Sequence, residues 1–420
     1  MGESGILLVD KPQGVTSHDV VGAVRGALHT RHVGHAGTLD PMATGLLVVG
    51  FGKSTRLLRY MVGHTKEYLA TIRLGLATDS DDADGNLIRT DHAKQNHIES
   101  VLKSITQEGL QALVNEFFVG AIDQIPSAFS SVRVHGKHSY ELARNGEIPE
   151  LKPRAITVFS FEILDVEHHE AQIPCNWRNE ANEGSESTQN NEAEESAQSN
   201  ATSSVTSAGG ERTIAVPVVD VKVRVSCSSG TYIRALARDL GARLGTGGHL
   251  IALRRTRVGD FCIDSHEASN TAKPCGSAEG ESNERQECTT PAEDIAKVKV
   301  EQRERRDRKT GAVEIRNRAV MTDSAETLLK YALSPAAAAS RIMDSIEISA
   351  KEAVDLGYGR DIDRRINTTS AAIYTAQDSK EAEALHTDEP QNTPRLCAIL
   401  VPDSHGMAKP QTVFPVNVKA

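Results

Sequence analysis

Two stretches of this 420-residue chain, 178–212 and 266–310, limit what it can fold into. The first is built from Asn, Glu, Ser, Gln and Thr, with hardly an apolar side chain before Val205. The second is similarly polar and ends in the charge-dense run 301–309. Neither can bury enough apolar surface to offset the entropy of ordering its backbone. A core must therefore come from the segments around them. Residues 1–265 read as one domain interrupted by a disordered insertion at about 178–212, 266–320 as a polar linker or insertion, and 321–420 as a small separate domain.

Within those limits the periodicities are mixed. Residues 5–10 read as a short buried strand ending at the turn Lys11-Pro12-Gln13-Gly14. Ser17 then caps a helix through Val20, Val21, Val24 and Leu28. Strands are expected at 46–49, 67–74, 156–166 and 214–226, and helices at 97–118, 139–145 and 232–244. There is no regular βαβ rhythm, so the expected class is α+β, a mixed and mostly antiparallel sheet flanked by helices.

The net charge of −10 argues against a polyanion binder only if charge is evenly spread. It is not. Residues 213–263 carry eight Lys and Arg against three Asp and Glu, whereas 264–320 is nearly balanced. No apolar run reaches the length of a membrane span, and Ile6 stands where a myristoylation signal needs Ser or Thr. The expected location is the cytoplasm. Six cysteines lie scattered without a C-x-x-C pair, which gives no zinc ribbon and no disulfide framework.

Chemistry concentrates at residues 34–47, G-H-A-G-T-L-D-P-M-A-T-G-L-L. Asp40 lies between glycine-containing turns and just before an apolar strand, and an ionised carboxylate is expensive to bury unpaired. Pro41 biases Asp40 towards extended geometry, and the glycines let the chain turn sharply or a ligand approach. An Asx-capped turn is the plainer alternative.

Other motifs fail their own tests. Residues 50–55, G-F-G-K-S-T, end like a phosphate-binding loop, but Leu47 occupies the position that needs the first glycine. His29, His32 and His35 recur every third residue without a fourth ligand pattern, so no metal is expected. The acidic run 79–85 lacks the spacing and closing Glu of a calcium loop and reads as a capped loop.

In order along the chain, seven elements carry a resemblance: 5–14 (G-I-L-L-V-D-K-P-Q-G), 34–45, 66–75, 82–85, 136–146, 226–234 and 253–259. Together they resemble the bacterial tRNA pseudouridine synthase B (TruB) family, whose relatives include the box H/ACA enzymes. The resemblance implies the pseudouridine synthase fold and, more weakly over 346–416, a small PUA-like RNA-binding domain. It implies isomerisation of the T-loop uridine-55 of tRNA to pseudouridine, with tRNA as partner, no obligatory protein partner, and neither cofactor nor metal.

By the family motifs Asp40 is the catalytic aspartate, Arg234 its cationic partner, and Tyr68 the ring that stacks on the flipped base and takes part in removing the C5 proton. His35 approaches the RNA near the vacated position. Lys11, Leu253 and the arginines after Leu253 support the pocket and the backbone contacts. Whether Asp40 attacks C1′, attacks the base or promotes a glycal stays open. Two other classes compete: an RNA-folding module that needs no chemistry, and a glycoside hydrolase, for which Asp84 is the only nearby second carboxylate in a recognisable motif.

Overall fold

A computed structural model describes residues 3–88, 92–130, 132–134, 136–147, 150–174, 213–263, 290–306, 313–376 and 393–414. The expected insertion at 178–212 and the first part of the expected linker, up to 289, lie outside these residues.

The chain begins β1 (Gly5–Lys11), α1 (Ser17–Ala27), β2 (Val33–Ala36), β3 (Thr44–Phe51), α2 (Leu58–Met61) and β4 (Lys66–Leu74). It continues with α3 (His92–Ser104), α4 (Gln107–Phe117), β5 (Gly120–Gln124), β6 (Arg133–Val134), β7 (Lys137–His138) and α5 (Ser139–Arg144). Then come β8 (Arg154–Pro174), β9 (Thr213–Cys227), α6 (Ile233–Leu244), β10 (Gly248–Val258) and β11 (Phe261–Cys262). The last part holds β12 (Ala296–Arg306), β13 (Val313–Met321), α7 (Ala325–Tyr331), α8 (Pro335–Ile342), β14 (Asp344–Glu347), α9 (Ala350–Gly357), β15 (Ser370–Tyr374), β16 (Arg395–Pro402) and β17 (Ala408–Val413). The class is mixed α+β, as expected.

The described chain divides into two compact units, one of residues 1–68 and 254–420 and the other of 69–253; the chain passes between them within β4 and β10. In the first unit the strand order is β13-β12-β1-β3-β10, with β2 also on β3. β1 and β3 are antiparallel from Gly5↔Phe51 to Lys11↔Gly45, and β10 joins β3 in parallel at Arg254↔Thr44 and Arg255↔Gly45. One side of this sheet buries Leu7, Val9, Leu47 and Val49 against Val20, Val21 and Val24 of α1. Its other side buries Ile6, Leu8, Leu46 and Val48 with Ala338 and Ala339 of α8 and Ile399 of β16. The C-terminal sheet, ordered β14-β15-β16-β17, thus shares a core with β1 and β3. Arg56 donates to the Val413 carbonyl at 2.9 Å, and Arg59 and Tyr60 bond Thr412.

In the second unit β9 lies between β4 and β8, and β5 closes the far edge of β8. β8 and β9 pair over their length, from Val158↔Cys227 to Pro174↔Thr213.

The structure departs from the sequence reading in several places. Thr16, not Ser17, caps α1, in a capping box with Asp19. The helix expected over 97–118 is two, because Thr106 starts a second one by capping Gly109. The stretch 290–306, expected within a linker, instead supplies β12, and together with β13 it extends the sheet of β1. Cys227 and Cys397 are buried, and Cys262 is disulfide-bonded, which the scattered spacing did not suggest.

Candidate active site

Asp40 sits on the loop that joins β2 to β3, half-buried, with its carbonyl accepting the amide of Ala43 at 3.1 Å. The loop re-enters the sheet at Gly45, whose φ is +98°. A Cβ there would lie 2.3 Å from the Arg255 carbonyl oxygen, so only glycine lets β3 run this close to β10.

Three buried polar side chains hold this loop. Ser17 Oγ accepts from the Leu39 amide at 2.9 Å and donates to the Leu39 carbonyl at 3.1 Å. Lys11, fully buried, donates from Nζ to the carbonyls of Val15 at 2.7 Å, Pro12 at 2.9 Å and Pro41 at 3.3 Å. Arg255 is 1% exposed; its Nε donates to Leu46 O at 2.8 Å and its Nη2 to Gly37 O at 3.0 Å, with Nη1 3.5 Å from Thr38 O. The backbone is therefore gripped at 37–39, 41 and 46, on both sides of Asp40, while Asp40 itself stays reachable. Carbonyls satisfied in this way do not need water, which suits a loop that must keep one geometry.

The local charges follow from this burial. Desolvation pushes the Lys11 ammonium down to about 8, with the Asp40 charge opposing the shift, so Lys11 is still cationic at neutral pH. His35 on β2 is also pushed down, first by burial and then by the Arg255 and His18 charges, and it is neutral at pH 7. Its Nδ1 is buried without a hydrogen-bond partner among the described residues. Tyr68 is 7% exposed and shares the inward side of β4 with Lys66, Ala70 and Ile72.

Arg234 and Leu253 belong to the second unit. The backbone N–H of Tyr232, the N-cap of α6, donates to the Gln124 side chain at 2.9 Å, and that amide donates back to the Tyr232 carbonyl at 3.0 Å. Arg234, 3% exposed, donates to the carbonyls of Ser80 at 2.9 Å and Phe129 at 2.8 Å and lies 3.3 Å from the Asp82 carboxylate. Asp82 also accepts from Ser80 Oγ at 2.6 Å and the Asp84 amide at 3.1 Å. One turn along α6, Arg238 pairs with Asp81 at 3.2 Å. The acidic loop at 79–85 is thus a mount for the guanidinium of Arg234. Leu253 is 7% exposed.

Removing that guanidinium would strand a buried carboxylate. Arg234→Met is expected to cost about 3–5 kcal/mol in urea unfolding. Adding Asp82→Asn should recover part of the loss, because the orphaned charge is then gone.

Sequence reasoning brought Lys11, His35 and Asp40 to one place, and the structure groups them in the first unit. It missed Ser17, Gln124 and Asp82, and it gave the arginines after Leu253 a role in supporting both the pocket and the backbone contacts. In the structure Arg254 makes a bidentate pair with Asp10 at 2.9 and 2.8 Å, and Arg255 is committed to loop carbonyls. The available signal was the two-residue alternation of a strand, which puts Leu253 and Arg255 on one inward side.

A sequence profile described as TruB family pseudouridylate synthase (N terminal domain) matches residues 25–181. One described as tRNA pseudouridylate synthase B C-terminal domain matches 234–273. The class these matches define is a pseudouridine synthase. A tRNA pseudouridine synthase B of Bifidobacterium longum (strain DJO10A) is 38% identical over 440 residues, covering 98% of each chain. That of Leifsonia xyli subsp. xyli is 45% identical over 271 residues, 64% of this chain and 72% of the relative. A chain in a solved Cbf5-Nop10-Gar1 complex is 20% identical, with a TM-score of 0.47 over 99% of this chain and 87% of its own length. The chain belongs to the TruB family of tRNA pseudouridine synthases, isomerases that make pseudouridine-55 in tRNA. No helix among the described residues is long and apolar enough to cross a membrane.

Proposed function

We propose that Asp40 carries the isomerisation, on the T-arm of tRNA, without cofactor or obligatory protein partner and in the cytoplasm. The reaction breaks the C1′–N1 bond of uridine, turns the base, forms a C1′–C5 bond, and moves the C5 proton to solvent while N1 gains one. One carboxylate suffices, as nucleophile or as stabiliser of the sugar cation. The observation that carries this reading is the grip on residues 37–46: three buried polar side chains hold the backbone around a half-buried Asp40. Such preorganisation lowers the barrier by holding the carboxylate in place.

The remaining roles follow the family motifs. Arg234, mounted on Asp82, is by the family motif the cationic partner of the catalytic aspartate. Tyr68 stacks on the extruded base and takes part in the C5 proton step, repaying some of the lost stacking. Neutral His35, with an unpartnered buried Nδ1, meets the RNA near the vacated position. Lys11 and Leu253 support the pocket, and the C-terminal sheet β14–β17 is a PUA-like RNA-binding domain.

The test is a T-arm stem-loop whose target uridine bears tritium at C5. Wild-type protein is expected to release tritium to water in step with pseudouridine formation. Tyr68→Phe should slow that release by at least about tenfold, in the range of general acid–base effects. Release of free uracil instead would make the protein a hydrolase and overturn the reading.

A further inference from the structure

The long hairpin of β12 and β13 is absorbed by none of the roles above. β12 runs parallel to β1 and pairs with it only at Val9↔Ala296 and Asp10↔Lys297. From Val298 onwards it continues past the end of β1, in the direction of Lys11 and the Pro12–Gly14 turn. That turn is tied to the Asp40 loop, because the Gly14 amide donates to Pro41 O at 2.8 Å. On its other side, Gly14 O accepts from Asn317 Nδ2 of β13 at 3.0 Å. The hairpin is therefore anchored beside the candidate active site and extends beyond it, over about 30 Å for the length of β12 at the usual rise per residue.

Its composition is unlike the rest of the chain. The two strands carry seven Lys and Arg against three Glu in a protein whose net charge is −10. Arg303, Arg316 and Arg318 are exposed. Arg303 stands directly opposite Arg316 in the ladder, while Arg316 Nε also donates to Glu314 at 2.8 Å and Arg318 stands opposite Glu301. A charged edge strand alone would blunt strand addition with either sign or with mixed charge. An excess of one sign, with two arginines set face to face, instead fits a polyanion laid along the strands.

We propose that the β12–β13 hairpin is an RNA-binding arm that holds backbone phosphates of the tRNA through Arg303, Arg316 and Arg318. The inference rests on tRNA being the substrate and is independent of the chemical role given to Asp40. Arginine forks match phosphate oxygens bidentately, and Arg303 and Arg316, as cross-strand neighbours, can meet one anion together. The arm positions the RNA and reads no sequence.

The experiment uses the full chain and an unmodified tRNA transcript. The triple variant Arg303→Gln/Arg316→Gln/Arg318→Gln is compared with wild type and with a control of equal charge loss on exposed helical and loop surfaces of the second unit, Lys94→Gln/Lys103→Gln/Lys152→Gln. Equilibrium Kd is measured across a salt series, and kcat at saturating tRNA. The triple variant is expected to raise Kd at least tenfold at low salt and to make the log–log salt slope shallower by about two. Its kcat should stay within twofold, and the control should match wild type. The same binding measurements in an Asp40→Asn background should show the same change, which separates failure of the arm from failure of the catalytic reading. Unchanged Kd and slope in the triple variant, or an equal loss in the control, would overturn the proposal.

Discussion

Asp40→Asn is expected to leave a folded protein that binds tRNA and makes no pseudouridine, with single-turnover rates at least about 10⁴-fold below wild type. The amide is isosteric and can make the same turn, since it is the backbone carbonyl of Asp40 that accepts the Ala43 amide. The loop around it is held through its backbone by Ser17, Lys11 and Arg255. Stability should therefore change by well under about 1 kcal/mol, the range of substitutions that disturb no packing. A large drop in rate without a drop in stability separates a chemical role from a structural one. The capped-turn alternative predicts the reverse.

The second large effect is expected at Arg255. Its guanidinium satisfies the carbonyls of Leu46 and Gly37 from a position that is 1% exposed. Arg255→Met leaves those acceptors buried without donors, a cost of about 1–3 kcal/mol for each. Part is recovered because a buried cation is also removed, so a net loss of about 3 kcal/mol in urea unfolding is expected. Activity should fall further than stability implies. A loop freed to move by about 1 Å misplaces the carboxylate, which is worth about 100-fold in kcat. Arg255→Lys should not rescue it, since an ammonium cannot reproduce the planar fork that spans residues on both sides of Asp40. Full activity in Arg255→Met would show that the grip on the loop does not matter.

Much of this was legible in the sequence, and the reasons are specific. β1, α1, β3 and β4 announced themselves because apolar residues recur at strand or helix spacing and end at Pro or Gly. Asp40 stood out because an acid between glycine turns has no packing role. The mounting was harder to see. Ser17 looked like an N-cap because Ser, Thr and Asp compete for that position, and Thr16 takes it with Asp19 as its partner. Asp82 sat inside an acidic run whose members differ only in what faces them, and what faces Asp82 is an arginine 152 positions later. Arg255 lay in a basic run, where only the strand alternation it shares with Leu253 tells a buried guanidinium from a solvated one.

The hairpin was hidden for a different reason. Residues 264–320 taken together are nearly neutral, because the acidic 264–295 cancels the basic strands that follow. Its strands are also short of apolar residues, since β13 is an edge whose residues from Val313 to Arg318 are exposed. They are ordered by the ladder to each other and by the foothold of Ala296 and Ala319 in the core beneath α1. A composition argument sees neither a ladder nor a foothold.

That Asp40 performs the T-loop isomerisation can be tested on tRNA itself. The most direct measurement is to incubate one unmodified tRNA transcript separately with wild-type protein and with Asp40→Asn, and to map pseudouridine chemically at every uridine. One new pseudouridine, at position 55, is expected with wild type and none with the variant. Full modification of position 55 by Asp40→Asn would contradict it.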